Sequence, residues 1–138
     1  KQLVDYLVKA NGFGANFLLN IGPMPNGDIQ PEFKERLSYM GSWLKNYCES
    51  IYNTRGGYMR PQSWGSITQR DGKMYVHILD RNAGNIRLEK FPFAAITKAY
   101  LLKDKSAVKV TLGNGVAEIS NTPWTDAEPD RVVVLEVK

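Results

Sequence analysis

The chain has 138 residues, 43% hydrophobic and 23% charged, the balance of a globular protein with enough apolar material for a core and no compositional drive to disorder. Eighteen basic and fourteen acidic side chains leave a formal net charge of +4 with no run of five like charges, so polyanion binding has little to rest on. A single cysteine, Cys48, excludes an internal disulfide and any multi-cysteine metal site, and no stretch approaches the 18 apolar residues of a membrane span.

Lys1 opens directly into a helical pattern, with neither initiator methionine nor signal peptide, as expected of a piece of a longer chain. In KQLVDYLVKA, residues Leu3, Val4, Leu7 and Val8 share one helical face. Asn11, Gly12 and Gly14 then end the helix, because such residues tolerate the backbone of a helix C-terminus. The glycines of NGFGAN do not form a dinucleotide-binding loop, since that fingerprint follows a strand and opens a helix, whereas these precede a strand.

In NFLLNIG, residues 16–22, the apolar Phe17, Leu18, Leu19 and Ile21 do not alternate with polar ones. That pattern predicts a strand buried on both faces, as in a parallel sheet covered by helices. The loop GPMPNGD leads to Pro31, placed at the first turn of a second helix, where its missing N–H costs nothing. Phe33, Leu37, Met40, Leu44, Tyr47, Cys48 and Ile51 form its apolar stripe, opposite Lys34, Glu35, Lys45 and Glu49. Cys48 on that stripe is expected to be a buried, inert thiol. One parallel strand cannot satisfy its own backbone groups, so its neighbours are expected upstream of Lys1.

Beyond the connector TRGGYMRPQ come seven short runs: SWGSIT, KMYVHIL, NIRLE, TKAYLL, AVKVTL, GVAEIS and RVVVLEV. Asp71-Gly72 and Asn114-Gly115 mark hairpins between them. This spacing predicts an antiparallel β-sandwich. Lys98, Lys103, Lys105 and Lys109 cluster around one predicted hairpin and are read as protection of a strand edge, not as a nucleic-acid site.

Helix, strand, glycine and proline loop, helix is the repeating unit of a (β/α)8 barrel. With it in place, NFLLNIGPMPNGDIQPEFKERLSYMGSWLK, ESIYNTRGG and WGSITQRDGKMYVHIL resemble the carboxy-terminal part of the α-L-fucosidases of glycoside hydrolase family 29. The expected fold of the chain is therefore α+β: the last helix-strand-helix unit of the barrel over residues 1–55, followed by a β-sandwich over residues 56–138. The resemblance implies an enzyme that releases α-linked L-fucose from glycans with retention, using two carboxylates roughly 5 to 5.5 Å apart. It places both upstream of Lys1, so no catalytic residue is expected in this chain, which alone should be inactive. No cofactor, nucleic-acid partner or membrane partner is implied. Fucosylated oligosaccharides are the expected partners of the whole enzyme, its address is secreted, periplasmic or lysosomal, and self-association through the barrel-facing surface is an expectation for the shorter chain. The alternative is a non-catalytic carbohydrate-binding or scaffolding sandwich.

Asn20, Gly22 and Pro23 lie closest to the strand's carboxyl end, where barrel enzymes place their sites, and are the candidates for a pocket floor. Asp28 is read as a turn or capping residue. Trp64, Trp124 and Tyr58 are the candidates for stacking on sugar rings, with core packing as the competing reading, and Trp43 is expected between helix and sandwich. Asp126, Glu128 and Asp130 alternate as calcium ligands would, but lack the glycine and terminal glutamate of a helix-loop-helix site, so a solvated loop is favoured. His77 is expected to be a hydrogen-bonded structural histidine.

Overall fold

A computed structural model describes residues 1–124 and 127–138. Among the described residues two helices, α1 (Gln2–Gly12) and α2 (Pro31–Tyr47), precede eight strands: β1 (Arg55–Gly56), β2 (Gly65–Arg70), β3 (Lys73–Ile78), β4 (Ile86–Leu88), β5 (Ile96–Leu101), β6 (Val110–Gly113), β7 (Val116–Ile119) and β8 (Arg131–Val137). A single 3-10 turn, Cys48–Ser50, follows α2. The strands form an antiparallel five-stranded sheet in the order β1-β2-β3-β8-β5 and a three-stranded sheet in the order β4-β7-β6. Asp71 and Gly72, and Asn114 and Gly115, all have positive φ, which is the backbone a two-residue turn needs to match the twist of the strands it joins.

The molecule has three layers, and the five-stranded sheet is the middle one. On one face Ile67, Met74, Val76, Val133 and Leu135 pack against Ile86, Leu88, Ala117 and Ile119 of the smaller sheet. On the other, Tyr75, Leu79, Val132 and Val134 pack against Val4 and Val8 of α1 and Met40, Trp43 and Tyr47 of α2. Side chains alternate across a strand, so β3 and β8, covered on both sides, are buried along most of their length. Trp43 is 5% exposed in the helix-side core and stacks on Tyr47 with centroids 5.4 Å apart.

Glycine lets α1 approach the sheet closely. A Cβ on Gly12 would stand 1.7 Å from Ser66 Oγ, and one on Gly56 would stand 2.5 Å from the Gly12 carbonyl oxygen. Asn11, beside it, donates from Nδ2 to the Ile51 carbonyl and to Thr54 Oγ1.

Three expectations are corrected. Residues 16–22 form no hydrogen-bonded strand. Phe17 and Leu19 are half-buried in a groove with Leu7, Leu37, Met40, Leu44 and Ile51, while Leu18 between them is 82% exposed. The segment is thus extended with one face covered, not two, because this chain offers its backbone no neighbouring strand. The stripe on α2 divides: Met40, Trp43 and Tyr47 are buried against the sheet, whereas Leu37 and Leu44 face the groove. Cys48 lies at the end of that rotation and is exposed.

Candidate functional site

The loop after the extended segment is closed by its own backbone. Pro23 bridges Ile29, the Met24 N–H donates to the Asp28 carbonyl at 2.7 Å, and the Gly27 N–H donates to the Met24 carbonyl at 2.8 Å. Gly27 has φ +87, which a side chain would disfavour. Asn26 Oδ1 accepts from the Asp28 N–H and Asn26 Nδ2 donates to the Asp28 carboxylate. Asp28 therefore serves the turn, and the residue before α2 is Gln30, which makes no side-chain cap. Asn20, Gly22 and Pro23 are exposed together at the base of this loop.

The three aromatic candidates are half-buried and pack from separate positions against the core between the sheets. Tyr58 meets Phe91 edge-on, with centroids 6.1 Å apart, and donates to the Glu89 carbonyl. Burial, with Glu89 adding to it, pushes the Tyr58 hydroxyl up to about 12. Trp64 ends the approach to β2, and its carbonyl accepts from the N–H groups of Leu79 and Asp80. Trp124 carries the guanidinium of Arg81 at 4.6 Å and that of Arg131 at 5.6 Å from its ring centroid, close enough for cation–π attraction. Those two arginines have no sequence signal linking them to Trp124.

Of the alternating acidic loop, Asp126 lies outside the described residues. Glu128 accepts from the Tyr47 hydroxyl and pairs with Lys103, while Asp130 turns inward to His77. Among the described residues no group of three or more His, Cys, Asp or Glu side chains is placed to hold a metal ion, and no helix is long and apolar enough to cross a membrane. Of the lysine cluster, Lys105 lies 5.1 Å from the Tyr100 ring centroid.

His77 is completely buried, with Nδ1 against Asp130 Oδ2 at 2.6 Å and Nε2 against Thr68 Oγ1 at 3.3 Å. Thr68 in turn donates to the Ser50 carbonyl at 2.6 Å. This buried chain runs from the end of the helix layer through β2 and β3 to the start of β8, and it contains no exposed reactive atom.

Comparisons with known proteins all point to one family. The family model described as α-L-fucosidase matches residues 1–49. The plasma α-L-fucosidase of Homo sapiens is 37% identical over 84 residues, spanning 57% of this chain and 18% of that protein. That of Rattus norvegicus is 29% identical over 145 residues, spanning 97% of this chain and 28% of that protein. Among solved structures, α-L-fucosidase isoenzyme 1 from Paenibacillus thiaminolyticus superposes with a TM-score of 0.83 at 28% identity, over 99% of this chain and 34% of that one. The chain is similar to the α-L-fucosidases. It corresponds to a carboxy-terminal part of them. The Thermotoga maritima α-fucosidase gives the same picture, with a TM-score of 0.79 at 28% identity over 97% of this chain and 33% of that one. The fucosidase portion seen here spans between 18% and 28% of the curated relatives quoted above.

Proposed function

We propose that this chain is the carboxy-terminal part of a retaining exo-α-L-fucosidase that hydrolyses α-L-fucosides of glycans, and that it is catalytically inert by itself. The observation that carries the reading is the mismatch of coverage: nearly the whole chain, 99%, superposes on a fucosidase of which it represents 34%. Retention requires a nucleophilic carboxylate and an acid/base carboxylate flanking one sugar, and the proposal assigns both to the remainder of the enzyme. The exposed side of residues 16–22 supports this, since an apolar extended segment with Leu18 82% exposed fits a strand whose neighbours belong to a larger barrel.

In this reading residues 1–55 complete the catalytic barrel and residues 56–138 form the sandwich that braces it. Asn20, Gly22 and Pro23, at the strand's carboxyl end, supply part of the pocket floor. Fucosylated oligosaccharides are the substrates of the whole enzyme, and its address is secreted, periplasmic or lysosomal, with relatives named for plasma and tissue favouring the secreted or lysosomal alternatives. The test is hydrolysis of nitrophenyl α-L-fucoside by the full-length product of the reading frame, with the 138-residue chain assayed beside it. An active parent and an inert chain are expected. Turnover by the chain alone would overturn the assignment of the carboxylates, and an inactive parent would overturn the function.

A second reading, glycan binding by the sandwich, is favoured by Trp124, whose half-exposed ring lies beside Arg81 and Arg131. Quenching or enhancement of its fluorescence by neutral fucosides checks that reading.

A further inference from the structure

The turn between β2 and β3 closes one wall of a cleft. Its lining comes from five places in the chain: Asn53 before β1, Arg55 in β1, Gln69 to Lys73 across the hairpin, Phe93 before β5, and Val137 at the end of β8. Three of these residues are cationic and one, Asp71, is acidic. Lys73 is steadied by Glu49 at 3.2 Å, and Arg70 by Asp71 at 3.6 Å together with the Tyr52 carbonyl. Arg55 has no side-chain partner among the described residues, so its guanidinium fork is open to a ligand.

Gln69 adds an unusual group. It pairs with Arg55 across the β1–β2 ladder, which places the two side chains on the same face. Its Oε1 is buried and accepts no hydrogen bond among the described residues. A buried acceptor without a donor carries a desolvation penalty, which the Gln69 side chain would shed by turning into the cleft it lines to meet a ligand hydroxyl. Phe93, half-buried beside it, offers a ring to the apolar face of a sugar.

We propose that this cleft binds an acidic sugar, one carrying a sulfate ester or a carboxylate. The anion engages Arg55, with Arg70 and Lys73 adding positive potential, because guanidinium groups match the planar and tetrahedral oxyanions with paired N–H donors. A sugar hydroxyl donates to Gln69 Oε1 once that side chain turns into the cleft. A bare inorganic anion satisfies only the first of these contacts, and a neutral sugar only the second. The site is separate from the catalytic reading above, so hydrolysis of fucosides neither establishes nor removes it.

The test is an NMR titration of the ¹⁵N-labelled chain with galactose 6-sulfate, glucuronic acid, L-fucose and sodium sulfate in parallel. Saturable shifts are expected for an acidic sugar at the backbone amides of Asn53, Gln69, Arg70 and Gly72 and at the Gln69 side-chain amide, weakening as salt is raised. Arg55→Ala should weaken binding about tenfold, the loss of one charge-assisted contact. Gln69→Leu should abolish the preference for the sulfated sugar over sodium sulfate. Absence of saturable shifts with both acidic sugars overturns the proposal. Equal binding of sodium sulfate by the native chain reduces the cleft to a bare anion site and overturns the sugar assignment. Equal binding of L-fucose, or an Arg55→Ala chain that keeps its fold and full affinity, removes the role of charge.

Discussion

His77 Nδ1 lies 2.6 Å from Asp130 Oδ2, with no exposed surface on either side chain. Burial raises the pKa of the Asp130 carboxyl, and the His77 imidazole opposes that rise. The pair joins β3 to the entry of β8, and through Thr68 and the Ser50 carbonyl it also ties the end of the helix layer to the sheet. Removing one partner leaves the other buried and uncompensated, which costs about 3 kcal/mol or more. Asp130→Ala and His77→Ala are each expected to lower stability by that order in urea unfolding. The double variant should lose clearly less than the sum, and strict additivity would show that the two groups are not coupled.

Helix α1 rests on the sheet through Gly12, where a Cβ would stand 1.7 Å from Ser66 Oγ. Gly12→Ala is therefore expected to cost about 1 to 3 kcal/mol, the usual penalty for forcing extra volume into a packed interface. The Ser66 hydroxyl is buried and makes no hydrogen bond among the described residues. Ser66→Ala alone should thus be close to neutral, and combined with Gly12→Ala it should recover part of the loss. Thermal unfolding of the four chains, native, two single and one double, checks this. A Gly12→Ala chain as stable as the native one would mean that the helix can back away at no cost.

Much of this architecture was legible in the residues because its local signals are strong. The seven β runs after residue 56 all appear as strands, and both glycine turns have the positive φ that their dipeptides predict. What could not be read concerns groups brought together over long separations. Nothing in the sequence links His77 to Asp130, 53 residues away, or places Arg55, Phe93 and Val137 around one hairpin. The stripe on α2 was read too broadly for a related reason. Periodicity identifies an apolar face, but not that Trp43 takes the sheet while Leu37 and Leu44 turn to residues 16–22.

Glu49 sets a pH dependence with a determinate sign. Burial alone would raise its carboxyl, but hydrogen bonds from the Tyr75 hydroxyl at 2.9 Å and Lys73 at 3.2 Å outweigh it and hold the group below its usual value of 4.5. A lowered folded pKa contributes stability that is complete above the unfolded value and is lost as pH falls through the folded one. Stability should therefore decline below about pH 4.5, and Glu49→Gln should flatten that decline. At the alkaline end the sign reverses. Burial and the bond to Glu49 hold the Tyr75 hydroxyl well above its ordinary 10.0, so the unfolded chain releases this proton first and stability falls as pH rises past about 10. Tyr75→Phe should shrink that fall. Unfolding curves at a series of pH values read both limbs, and unchanged slopes in the two variants would place the titrating groups elsewhere.

Leu18 separates the free chain from the enzyme proposed to contain it. Its side chain is 82% exposed between Phe17 and Leu19, which pack into the groove of α1 and α2. A substitution at so open a position changes stability by about 0.5 kcal/mol or less, so Leu18→Asp should leave the melting temperature of the 138-residue chain unchanged. It should also reduce any self-association, because an exposed apolar residue on an unpaired extended segment is where a second copy would dock. In the full-length enzyme the same residue lies on a strand between barrel neighbours, in the reading proposed here. Burying a carboxylate there without a partner costs several kcal/mol, so the full-length variant should fold poorly and lose hydrolysis of nitrophenyl α-L-fucoside. If the full-length Leu18→Asp enzyme keeps its stability and activity, this face is not covered by a barrel and the placement of residues 1–55 within one is wrong.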